Sequence, residues 1–227
     1  MAKSIYQLAL GEDFEKLHPQ VQKRFGFSST SQVAAIGRGV MNRVWRGRFF
    51  TLPFLIVGSW RNIMFPEQGH DIPFSVENYA YRDGYRRETM TWARKFQFGR
   101  QTRRFDATMI FSQQRRRIVD YLGTHQHLAV DIEADVAQNG GLWLRSGEQR
   151  FYEGPISFCF PLLFSGVAEV CEWYDDCEQK FKIKVEVKNK VWGPLFGYDG
   201  AFEVDYIPVM PDRIPADAKP HREEERE

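Results

Sequence analysis

From Phe74 to Tyr206 the sequence repeats with a period of two, and this limits the fold more than any other feature. In an extended strand, residues two apart point to one side. Phe74, Val76, Asn78 and Ala80 form one such row, and Met90, Trp92, Arg94, Phe96 and Phe98 the next. Phe105, Ala107, Met109 and Phe111 follow. Leu128, Val130, Ile132, Ala134 and Val136 then face away from His127, Asp131, Glu133 and Asp135. Phe181, Ile183, Val185 and Val187 alternate with Lys182, Lys184 and Glu186, and Phe202, Val204 and Tyr206 close the series. Ile118–Leu122, Leu142–Tyr152, Ile156–Phe160 and Val167–Tyr174 read as further strands, with Pro161 ending or kinking the third of these. Asp83–Gly84, Gly99, Asn139–Gly140–Gly141 and Asp175–Asp176 supply turns. Consecutive strands with one apolar side each make an antiparallel meander. A meander of nine or ten strands tends to curl into a curved sheet or a closed barrel. The expected class is mainly β within α+β.

The chain before Phe74 is helical in part. Ser4–Leu10 has Ser4 as N-cap and Gly11 as stop, and Phe14–Phe25 carries Leu17, Val21 and Phe25 on one face. Val33–Trp45 admits either period, but Gly37 and Gly39 each cost about 1 kcal/mol inside a helix, which favours a strand. Leu52–Met64, with Pro53 in its first turn, is the helix expected to cover or plug the sheet. Residues 1–208 read as one domain. Residues 209–227, polar and ending Glu-Glu-Glu-Arg-Glu, read as a flexible tail.

Bulk properties narrow the function classes. A net charge of +1 argues against nucleic acid as a partner. Three cysteines without a CxxC suggest neither a disulfide framework nor a zinc site, and a cytoplasmic, reducing compartment is expected. Met1–Leu10 lacks the pattern of a signal peptide. The most apolar run, Phe49–Trp60, falls well short of the roughly 20 residues a spanning helix needs, so no transmembrane segment is expected.

Several stretches carry a family resemblance: Gly58-Ser-Trp-Arg-Asn-Ile-Met-Phe-Pro-Glu67, Asn78-Tyr-Ala-Tyr81, Phe105-Asp-Ala-Thr-Met-Ile110, Asp120-Tyr-Leu-Gly-Thr-His125, Leu144-Arg-Ser-Gly-Glu-Gln-Arg-Phe-Tyr152 and Trp192-Gly-Pro-Leu-Phe-Gly197. Together they resemble the bacterial domain of unknown function DUF4166, from about Ser4 to Tyr206. Relatives occur alone or attached to proteins similar to saccharopine dehydrogenases. The resemblance implies no catalytic residue. The chain shows no glycine-rich nucleotide fingerprint, so no cofactor is expected.

Candidate sites follow from residue chemistry. Arg94 lies on an apolar row beside Trp92. A buried guanidinium needs an acid, an anion or a ligand group; the alternative is a bulge that turns it outward. Arg145, Glu148 and Arg150 lie on a glycine-rich stretch and could line a cavity mouth, or could pair with one another across a strand bulged at Gly147. Trp60 could wall a cavity or anchor the core. His125 and His127, two apart with Asp131 four further on, could hold a divalent metal, or could be the polar side of a strand. Arg82–Arg117 is rich in Lys and Arg and could meet an anionic partner, unless acids elsewhere balance it. The leading expectation is a noncatalytic binding domain for a small apolar or amphipathic molecule. The alternatives are a protein interaction module working with a dehydrogenase-like partner, and an enzyme or metal site using His125, His127, Asp131 or Glu148.

Overall fold

The computed structural model describes residues 2–160 and 166–227. Pro161, expected to end a strand, lies outside the described residues. Among these described residues, eleven strands form one antiparallel sheet: β1 (Val33–Arg46), β2 (Gly69–Arg82), β3 (Glu88–Phe98), β4 (Gln101–Ser112), β5 (Arg117–Leu122), β6 (Leu128–Val136), β7 (Leu142–Glu153), β8 (Ile156–Cys159), β9 (Val167–Asp175), β10 (Lys180–Asn189) and β11 (Gly193–Pro208). Strands β1 to β7 pair in chain order, β9 to β11 continue, and β11 returns to β1 from Val33↔Pro208 to Arg46↔Phe196. This pairing and the β6–β7 and β7–β9 pairings close a ten-stranded barrel. Among the described residues, strand β8 pairs only with the end of β7, from Arg150 to Glu153. Closure removes the sheet edges that an open meander would expose.

The inward rows are those the alternation marks. Met90, Trp92, Arg94 and Phe96 are all buried, as are Phe105, Ala107 and Met109 on β4 and Phe181, Ile183, Val185 and Val187 on β10. The outward rows carry charge, including Arg38–Asp205, Lys95–Glu77 and Lys182–Glu178. At Gly37 and Gly39 the neighbouring Phe202 approaches within 2.8 and 2.5 Å of where a Cβ would sit, so side chains there would collide with β11.

Helix α1 (Ile5–Leu10) has the expected Ser4 cap, a capping box with Gln7. The single helix expected over Phe14–Phe25 is divided into a 3-10 turn, Gly11–Lys16, and α2, Pro19–Phe25. Pro19 is the cause. It disfavours the α conformation at the preceding residue, and Leu17 and His18 are extended, with His18 capping α2. These two helices seal one end of the barrel. Tyr6 accepts a 2.8 Å hydrogen bond from Trp92 Nε1, and Phe25 stacks on Trp92 at 5.9 Å. Helix α3 spans Leu52–Ser59, shorter than the expected Leu52–Met64, because the chain turns at Trp60 and Asn62 takes φ +55°. It covers part of the opposite end.

Residues 209–227 lie against the outside of the barrel. Ile214 and Ala218 pack with Ala34, Ile36, Tyr79 and Tyr81. Arg87 donates to the carbonyls of Glu224 and Glu225, and Tyr121 to that of Arg226.

Candidate functional site

Between Trp92 and α3 the barrel encloses a cavity of about 240 Å³. Its walls are mostly aliphatic: Met109, Leu128, Val130, Leu144, Ala168 and Val185 all face it. Phe54, Leu55, Phe160, Trp192 and Leu195 surround its mouth. Ten strands give a bore wider than these side chains fill, which is how a barrel of this size comes to hold a void.

Two charged side chains break the apolar lining. Arg94, on β3, is 3 % exposed. Its Nε donates to the Phe105 carbonyl at 2.9 Å and its Nη1 to the Tyr198 hydroxyl at 3.1 Å. The guanidinium lies 3.9 Å from the centre of the Phe105 ring. It is thus held by neutral groups and a π face, with no acid within ion-pair distance among the described residues. Asp120, on β5, is 5 % exposed and in register with Met109 and Val130. Its Oδ1 has no hydrogen-bond partner among the described residues. Burial pushes the Asp120 carboxyl up to about 7, against the opposing pull of Arg94. The cavity therefore presents a fixed cation and a carboxyl poised to change protonation near neutrality. Ser146 and Gln149 add neutral polar groups on the β7 side.

A second buried pair lies deeper, towards the sealed end. Arg24 of α2 pairs with Glu172 of β9, both side chains fully buried. The guanidinium sits over Phe202 at 5.0 Å. Desolvation still raises the Glu172 carboxyl despite Arg24.

The other sequence candidates lie elsewhere. Arg150 is buried on the outer side of β7, bonded to Asp131 Oδ1 at 2.6 Å and Glu148 Oε1 at 2.8 Å. Arg145 is half exposed, 3.7 Å from Glu169, and the Glu148 side chain is half exposed. None of the three lines the cavity. Arg145 and Arg150 pair across strands, and Glu148 pairs with Arg150 on its own strand, around a bulge at which Gly147 and Glu148 oppose Asp131. Trp60 is 74 % exposed on the rim of α3. His125 and His127 stand 5.6 Å apart between ring centres, but His127 Nδ1 meets Glu153 at 2.5 Å while Asp131 is taken by Arg150. Burial lowers both imidazoles. Among the described residues, no group of three His, Cys, Asp or Glu side chains is arranged to hold a metal. Among the described residues, half of the ten arginines of the basic stretch are in ion pairs: Arg87 with Asp83, Arg103 with Glu67, Arg104 with Asp106 and Asp217, and Arg115 and Arg117 with Asp131.

Sequence reasoning missed Asp120, Glu172 and Arg24. Asp120 shares parity with Ile118 and Leu122, but Val119 and Tyr121 on the other parity are apolar and buried too, so alternation alone does not say which row of this strand points inward.

No helix among the described residues is long and apolar enough to cross a membrane. A comparison with solved structures finds none that matches. The chain is similar to the uncharacterized protein YndH of Bacillus subtilis (strain 168), 31 % identical over 200 residues, which cover 88 % of this chain and 96 % of that one. The model of a family described as a domain of unknown function, DUF4166, matches residues 17–202, which include the barrel strands from β1 to Phe202 and all of α3. That match covers more than half of the chain, and the chain therefore belongs to the DUF4166 family.

Proposed function

We propose that the protein is a noncatalytic binding domain that holds one small amphipathic molecule inside its barrel. The observation that carries this reading is the Asp120 carboxyl, one of whose oxygens is buried without a partner among the described residues, in the wall of a mostly apolar cavity that Arg94 also lines. A buried polar group left unbonded costs about 1–3 kcal/mol, and a ligand head that bonds the Asp120 carboxyl from the cavity offsets part of that cost. Arg94 faces the same space with a positive charge. A hydroxyl or carboxyl head suits the two groups together: it accepts from Arg94, and it exchanges a hydrogen bond with a carboxyl that is protonated for part of the neutral range. The apolar body of the ligand would lie against Leu128, Val130, Leu144 and Val185, at a gain of about 25 cal/mol per Å² removed from water. Trp92 forms the floor. The three unpaired cysteines support a reducing, cytoplasmic setting.

Native mass spectrometry of protein purified from cells, with solvent extraction of the same sample, tests this. A single bound organic species with a polar head and an apolar body is expected. Protein that carries nothing and takes up no fatty acid or long-chain alcohol when these are supplied contradicts the reading.

A further inference from the structure

The end of the barrel at which the cavity opens differs chemically from the rest of the surface. Helix α3 is Leu-Pro-Phe-Leu-Ile-Val-Gly-Ser, apolar on nearly every side. Leu55 and Gly58 are buried against the barrel, which leaves the other sides in water. Phe49 is 79 % exposed, Val57 58 %, Trp60 74 % and Val191, on the adjoining β10–β11 turn, 62 %. Phe50 and Phe54 meet Trp192 edge-on and tilted, at 6.0 and 5.9 Å, which joins helix and turn into one apolar rim. Isolated exposed apolar residues are ordinary, but a contiguous group of large ones marks a surface that something covers.

Charge identifies the occupant. The chain as a whole is nearly neutral, with 31 basic and 30 acidic residues. Yet no Asp or Glu occurs from Arg46 to Pro66 or from Val187 to Tyr198, and these two segments hold Arg46, Arg48, Arg61, Lys188 and Lys190. Arg48, Arg61 and Lys190 are exposed and form no ion pair among the described residues. Aromatic and aliphatic side chains flanked by unpaired cations match the interface of an anionic bilayer, where the apolar groups enter the acyl boundary and the cations meet the headgroups.

We propose that this rim docks the protein on an anionic lipid surface with the cavity mouth turned towards the bilayer. The docking rests on the exposed rim and does not require an occupied cavity. A ligand dissolved in the bilayer would then enter the barrel past Phe54 and Trp192 without crossing water.

Co-sedimentation with vesicles tests the proposal, using phosphatidylcholine alone and phosphatidylcholine mixed with phosphatidylglycerol. The wild type is expected to bind the mixed vesicles and to leave them as salt rises. The variant F49S/V57S/W60S, whose three positions lie outside the cavity lining, should lose more than about tenfold in partitioning. The variant R48E/R61E/K190E should lose about fivefold for each charge removed, and only on the mixed vesicles. Both variants change exposed residues, and unchanged thermal melts will show that they fold. Wild-type protein that stays in the supernatant with both vesicle types overturns the proposal, as does an F49S/V57S/W60S variant that binds as the wild type does. A dimer in sedimentation velocity that the same variant dissolves also overturns it, because it assigns the rim to a second copy. Ligand uptake measured in detergent-free buffer is read separately, so failure of docking leaves the binding reading standing.

Discussion

Replacing Asp120 with asparagine should stabilise the protein above neutral pH and hardly at all below about pH 4. Asp120 is buried in the cavity wall, its Oδ1 lacks a partner among the described residues, and its carboxyl moves from an ordinary 3.8 to about 7. A carboxyl that is harder to ionise when folded makes the folded state hold a proton that the unfolded chain has released. Between the two values, stability therefore falls as pH rises. The penalty is absent below about 4 and complete above about 7. A displacement of that size corresponds to roughly 4 kcal/mol, an upper figure because water entering through the mouth would reduce it. The Asp120→Asn variant carries no charge at this position at any pH. It should match the wild type near pH 4 and exceed it by about 2–4 kcal/mol near pH 8. Urea unfolding at several pH values, each analysed with a fixed m-value, measures this difference directly. Other buried acids such as Asp106, pushed up to about 6 by burial, act equally in both proteins and cancel. A difference that does not change with pH would show that Asp120 ionises freely when folded, and it would remove the basis for a proton-sensitive polar end to the cavity.

The Arg24–Glu172 pair gives an independent prediction. Arg24→Met leaves Glu172 buried without its cation and should cost about 3–5 kcal/mol, whereas the double variant R24M/E172L should recover most of that loss. Thermal melts of the two variants at neutral pH check both; a single variant as stable as the wild type would mean that water reaches Glu172.

Alternation alone located the barrel wall. The inward set on β3, from Met90 to Phe96, contains Arg94 where the two-residue period puts it, and Gly147 marks the bulge in β7. Closure was less legible. It depends on β1 pairing with β11, which are far apart in sequence, and strand propensity does not encode such pairing. The end seal was hidden for a related reason. Leu17, Val21 and Phe25 announce a buried helical face, but not that this face enters the barrel beside Trp92. The site was legible in half. Parity pointed Arg94 inward, while its acceptors, the Phe105 carbonyl and the Tyr198 hydroxyl, come from β4 and β11 and could not be foreseen. Arg145, Glu148 and Arg150 drew notice through a dense mixture of charge, glycine and aromatics, a composition shared by functional rims and by bulged strand pairs. Their geometry is that of a bulged strand, with two cross-strand ion pairs, Arg145–Glu169 and Arg150–Asp131, and Arg150–Glu148 along the strand itself.

Titration with anilinonaphthalene sulfonate, an anionic aromatic probe, tests the cavity as a binding site most directly. The wild type should bind one equivalent with a blue-shifted emission. Ala168→Trp, which places a ring in the void, should abolish this binding without lowering the melting temperature, because empty space accepts the added volume. Arg94→Met should weaken binding while leaving the void open. Equal binding by the wild type and Ala168→Trp would show that the probe sits elsewhere, and would contradict the claim that this barrel is built to hold a ligand.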